Sequence, residues 1–98
     1  MENTQQLQIL YNVLKGDRRI KTVHFSLYMG FLFIWSLKNF QNPISITRSE
    51  MMQIAKIGGY ATYHKCIKEL HTYGYIEYLP SYHPAFGSLV YLKNLDNS

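Results

Sequence analysis

Residues 47 to 74, TRSEMMQIAKIGGYATYHKCIKELHTYG, constrain this chain more tightly than any other stretch. Thr47 followed three residues later by Glu50 has the form of a capping box, in which each side chain satisfies the other residue's free backbone N–H. The helix that starts there buries Met51, Ile54 and Ala55 and ends near Ile57. Gly58-Gly59 then supplies the backbone freedom for a sharp turn. A second helix is expected from about Ala61 to Tyr73, with Tyr63, Cys66, Ile67 and Leu70 spaced i, i+3, i+4, i+7 toward a core. Gly74 stands where a helix favours a left-handed residue just past its end.

The flanking sequence supplies further short elements. Thr4–Leu14 carries Leu7, Leu10, Tyr11 and Leu14 on one stripe, with Thr4 as cap and Gly16 after its end, so an amphipathic helix is expected. KGDRRIK, residues 15–21, is a polar connector of net charge +3. Thr22–Phe40 reads as a long central helix whose apolar residues run most of the way round, as in a helix packed on more than one side. Gly30 costs that helix about 1 kcal/mol against alanine, and lets a neighbouring helix approach closely. Asn42-Pro43 ends the element, because a residue before proline is pushed out of the helical region. Ile44–Ile46 is a short strand. Tyr75–Leu79 and Ser88–Leu92 are two further strands joined by the loop PSYHPAFG, and the tail Asn94–Ser98 is expected to fray.

Composition bounds what such a chain can do. Ninety-eight residues make one domain, divided as 1–21, the N-terminal helix and connector, 22–93, the core unit, and the tail 94–98. Hydrophobic residues at 47% and aromatics at 15% argue for a folded chain, and a net charge of +4 favours polyanionic partners. The single cysteine, Cys66, rules out an internal disulfide and points to a reducing, cytoplasmic setting. Met1–Gln8 is polar and lacks the apolar region of a signal peptide. The most apolar run, the 15 residues Val23–Leu37, falls short of a membrane span. Six scattered acidic residues and the lack of a Gly-rich phosphate loop argue against an enzyme. His64 and His71 share a helix face but Cys66 points elsewhere, so no metal site, cofactor or small-molecule substrate is expected.

The order helix, helix, short strand, helix, turn, helix, hairpin resembles the winged helix-turn-helix family of DNA-binding domains, over roughly Thr22–Leu92. The stretch ITRSEMMQIAKIGGYATYHKCIKELHTYGYI carries most of that likeness, which is to small bacterial transcription regulators and to replication initiators of plasmids and mobile elements. The turn Ile57–Tyr60 is longer than the tightest turns of the family. The resemblance implies a mainly α fold with a small β-hairpin (α+β), a winged helix-turn-helix with an additional N-terminal helix. It also implies double-stranded DNA as partner, with the 61–73 helix in the major groove. Thr62, His64, Lys65 and Lys68 would then line its outer side, with Thr62 serving as helix cap, phosphate contact or both. Tyr60 stacks on the DNA backbone or packs on the turn, and Arg48 is a phosphate candidate. Tyr82 and His83, at the hairpin tip, are expected to touch DNA weakly, since no lysine or arginine lies between Tyr75 and Leu92. Arg18, Arg19 and Lys21 are further phosphate candidates. Two other classes stand beside this one: a winged-helix module that binds protein without DNA, and an RNA binder that stacks bases on Tyr60, Tyr78 and Tyr82. The apolar stripe of the Thr4–Leu14 helix must be buried either on its own domain or on a second chain, and a homodimer through it is the favoured expectation.

Overall fold

The computed structural model describes residues 2–81 and 87–93, with the side chains of residues 2–4 and 6 left aside. These residues form α1 (Glu2–Gly16), α2 (Thr22–Leu37), β1 (Ile44–Ile46), α3 (Arg48–Ala55), α4 (Tyr60–Thr72), β2 (Ile76–Leu79) and β3 (Ser88–Leu92). The protein is a small α+β unit of four helices and one three-stranded antiparallel sheet among the described residues.

Three of the helices stop by the same backbone device. At the end of α4, Tyr75 N–H donates to Leu70 C=O at 3.0 Å and Gly74 N–H to His71 C=O at 3.1 Å. Gly74 sits at φ +90°, the left-handed closure its sequence position implies. Around Lys56 the same pair recurs, Ile57 N–H to Met52 C=O at 2.9 Å and Lys56 N–H to Gln53 C=O at 3.3 Å. Around Asn39 it recurs again, Phe40 N–H to Trp35 C=O at 2.9 Å and Asn39 N–H to Ser36 C=O at 3.2 Å. Lys56 and Asn39 take φ of 60° and 57°.

These closures correct three expectations. The left-handed residue of the α3–α4 turn is Lys56, and neither Gly58 nor Gly59 has a positive φ. The central helix ends at Leu37 rather than Phe40, because Asn39 reverses the backbone before Pro43 is reached. The N-cap of α4 is Gly59, whose C=O accepts from Tyr63 N–H at 3.1 Å. Thr62 is therefore the third residue of the helix and not its cap. At the start of α3, Thr47 Oγ1 accepts from Glu50 N–H at 3.2 Å, one of the two bonds expected there.

The sheet order is β1-β3-β2, so the first strand lies beside the last. Ile44 pairs with Val90 and Ile46 with Ser88, while Ile76 pairs with Leu92 and Tyr78 with Val90. The pairing continues past β1 through a side chain: Asn42 Nδ2 donates to Leu92 C=O at 2.9 Å, and Leu92 N–H donates to Asn42 Oδ1 at 3.0 Å. Gly87 is packed against β1, where a methyl group would lie 2.5 Å from the Ile46 carbonyl oxygen.

The core lies between this sheet and the helices. Leu27, Tyr28 and Phe31 of α2, Met51 of α3 and Tyr63, Cys66, Ile67 and Leu70 of α4 are buried against Ile44, Ile46, Ile76 and Val90. The spacing-based face of α4 is thus the observed one. Gly30 is where α3 crosses α2, since a methyl group there would meet Met51 Cε at 3.0 Å and Ile54 Cγ2 at 3.1 Å. The stripe of α1 is only half covered: Leu10 and Leu14 are buried, while Leu7 and Tyr11 stay largely exposed. The Tyr11 ring meets Phe25 of α2 edge-on at 5.9 Å.

Candidate functional site

With one side of α4 buried, its remaining side chains divide into a central strip and two flanks. Lys65 and Lys68 are exposed on the strip, between Ala61 and Thr72. Toward the sheet lie His64, whose ring meets Tyr63 edge-on at 5.5 Å, and His71, whose Nδ1 accepts from Tyr78 N–H at 3.0 Å. On the flank toward α2 lie Thr62 and Glu69. That division follows from 3.6 residues per turn and a core face fixed by Tyr63, Ile67 and Leu70.

Glu69 does not neutralise the strip. Its Oε1 lies 2.8 Å from Nε2 of His24, a buried residue of α2. Lys21 N–H donates to His24 Nδ1 at 2.9 Å, so Nδ1 is an acceptor, Nε2 carries the proton, and the ring donates to the carboxylate. One imidazole therefore holds the start of α2 and ties it to the middle of α4. Among the described residues neither Lys65 nor Lys68 has an acidic partner at ion-pair distance.

At the N-terminal ends of α3 and α4, Arg48 and Tyr60 meet. The Arg48 guanidinium carbon stands 4.0 Å from the centre of the Tyr60 ring, which is 60% exposed. Stacking fixes the plane of the guanidinium while leaving its N–H edges free for an acceptor. The sequence singles out both residues; the structure makes them one unit.

The connector candidates separate. Arg19 is bound to Asp17 through Nε at 2.9 Å and Nη2 at 2.7 Å, and its guanidinium lies 4.3 Å from the centre of the Tyr73 ring. Tyr75 O–H donates to the same carboxylate at 2.8 Å. The Arg19 hydrogen bonds, and then that of Tyr75, hold the Asp17 carboxyl well below the usual carboxylate range. Arg19 thus anchors the connector. Lys21 instead joins the α4 face, since a cleft of about 230 Å³ between α2 and α4 is lined by Lys21, His24, Thr62, Lys65, Cys66 and Glu69. Arg18 is exposed. Tyr82 and His83 lie outside the described residues.

Sequence reasoning gives no role to His24 or Asp17, and it reads Glu69 only as a negative charge close to the basic face of residues 62–68. The His24–Glu69 pair spans 45 residues and the Tyr75–Asp17 bond 58, and no local spacing reports a bond of that range. Cys66 lies beneath the strip, its thiol donating to Val23 C=O at 3.5 Å. Burial first, and then the charge of Glu69, pushes that thiol up to about 12. Among the described residues no three of His, Cys, Asp or Glu gather as metal ligands, and no helix is long and apolar enough to cross a membrane. Comparison with known proteins finds no matching family, no matching curated protein and no matching solved structure.

Proposed function

We propose that this chain is a winged helix-turn-helix domain that binds double-stranded DNA with α4 in the major groove. In this reading α3 and α4 are the helix pair, the β2–β3 hairpin is the wing, and α1 is an added element. The observation that carries the reading is the outer strip of α4: Lys65 and Lys68 stand free because Glu69 is turned to His24. Lys21 on one side and the Arg48–Tyr60 stack at the helix entrance extend the same positive face. A helix that projects lysines from its second and third turns suits base edges and phosphates together. The role that follows is that of a transcriptional regulator, or a regulator of replication or transfer of a mobile element, acting in the cytoplasm without a cofactor or catalysis.

The test is a fluorescence-anisotropy titration with mixed-sequence duplex at two salt concentrations, wild type beside Lys65→Ala/Lys68→Ala. Four cations on phosphates give a slope of log affinity against log salt of about −3.6, and losing two brings it to about −1.8. Both lysines are outside the core, so the double variant should keep its melting temperature. Absence of binding at low salt, or binding the double variant retains in full, refutes the reading. Preferential binding of single-stranded RNA, or of a protein with no salt slope, would point to the alternative classes.

A further inference from the structure

A second surface lies on the far side of α2 from the core. Thr22–Leu37 contains no Asp, Glu, Lys or Arg, and its two titratable side chains, His24 and Tyr28, are buried. Along its outer side Phe25, Met29, Phe33 and Leu37 recur every four residues, and the exposed polar side chains of the helix, Thr22 and Ser36, are uncharged. Tyr11 of α1 rests on Phe25, and Leu7 lies one turn before Tyr11, so the strip continues onto α1. Leu7, Tyr11, Met29, Phe33 and Leu37 are each between 49 and 63% exposed. An outward face of this kind is normally charged.

We infer that this α1–α2 strip is the surface through which two copies of the chain associate. Three observations select a second copy over other occupants. The first is area: five large side chains, each about half exposed, present roughly 500 Å², given ~150–250 Å² for a full large side chain. With neighbouring Gln8, Asn12 and Ser36 this approaches the ~800 Å² per partner of a standard interface. The second is charge. Each chain carries +4, yet α1 and α2 together hold one cation, Lys15, so two chains meet here without like charges opposed. An interfacial helix on an anionic membrane would instead carry lysines and arginines beside its apolar face. The third is placement: the strip lies away from the His24 side of α2 that meets α4, and α3 packs beside it at Gly30, so Lys65 and Lys68 on α4 stay uncovered. The expected pairing through α1 is thereby extended, with α2 supplying the larger share.

The experiment is sedimentation velocity of the full chain at tens of micromolar, without DNA, so its result is independent of whether duplex binds. The expected species has twice the 11.5 kDa chain mass. Phe33→Glu and Met29→Glu should each convert it to monomer with unchanged circular dichroism, because both side chains are about half exposed in the folded chain. Ile9→Glu/Val13→Glu, on the other flank of α1, should leave the dimer intact. A monomer at every concentration overturns the inference, whether or not it floats with phosphatidylcholine vesicles. So does a dimer that survives Phe33→Glu and Met29→Glu, or one that Ile9→Glu/Val13→Glu dissociates while they do not.

Discussion

Replacing Gly87 with alanine isolates the contact that holds β1 to the end of the chain. The new methyl group would stand 2.5 Å from the Ile46 carbonyl oxygen and 2.9 Å from Ser45 Oγ. Contact becomes ordinary only near 3.4 Å, so β1 and β3 must separate locally by about 0.9 Å. Both neighbours belong to β1, and one is backbone, so no side-chain rotation relieves the clash. Overpacking of this kind costs about 1–3 kcal/mol. Stretching an adjacent ladder hydrogen bond out of range costs about 1 kcal/mol more. The stiffer unfolded chain returns about 0.4–1 kcal/mol. The net loss is about 2 kcal/mol, or roughly 8–16 °C in melting temperature at about 4–8 °C per kcal/mol. Gly30→Ala is the control, because the methyl there meets side-chain atoms only, Met51 Cε at 3.0 Å and Ile54 Cγ2 at 3.1 Å. Its crowding is offset by about 1 kcal/mol of helix propensity, which leaves it within about 1 kcal/mol of the parent. Thermal melts of the two variants beside wild type decide the matter. A Gly87→Ala protein that melts with the parent, or above Gly30→Ala, refutes the close approach of β1.

The remaining expectations concern single positions. Lys56→Gly should raise stability by about 0.5–1 kcal/mol in urea titration, because a residue with a Cβ now occupies the left-handed closure of α3. Tyr28→Phe should be neutral or stabilising by up to about 1 kcal/mol, since the buried Tyr28 hydroxyl has no protein partner among the described residues; a clear loss in the same titration would contradict this. The Cys66 thiol, pushed up to about 12, should resist Ellman's reagent at mildly alkaline pH until the protein unfolds. Alkaline stability follows from the same groups. Cys66 and Tyr75 both titrate at about 12 in the fold, above their ordinary values of 9.0 and 10.0. Their contribution is complete below about pH 9 and is lost as pH rises toward 12, so urea midpoints should fall across that window.

The elements legible in the sequence were those whose signal is local. Tyr63, Cys66, Ile67 and Leu70 announce a buried face through helical spacing alone, and Gly74 announces the end of α4 because glycine adopts a left-handed φ without strain. The ends of α2 and α3 were hidden for the same reason in reverse: Asn39 and Lys56 close those helices in the left-handed region without being glycine. Gly58-Gly59 carries the stronger local turn signal, yet the left-handed residue is Lys56, two positions before Gly58. At the candidate site, the exposure of Lys65 and Lys68 was legible from the same periodicity. Their freedom from Glu69 was not, because it depends on His24, buried in another helix. Arg18, Arg19 and Lys21 looked equivalent in a basic connector, and only the fold shows Asp17 and Tyr73 claiming Arg19 while Lys21 turns toward α4.

The place of β1 beside β3 also sets an order of events during synthesis. Residues 44–46 leave the ribosome long before residues 88–92, and until the latter arrive β1 has no strand to lie against. The Asn42 amide waits for the same partner, Leu92. The nascent chain can form its helices early, since their bonds are local, but it leaves Ile44 and Ile46 without a strand partner until β3 is made. A chain stopped before Ser88 would therefore lose more than a hairpin arm. It would release the strand that leads directly into α3, and expose an apolar edge to quality control while most of its residues were already in place.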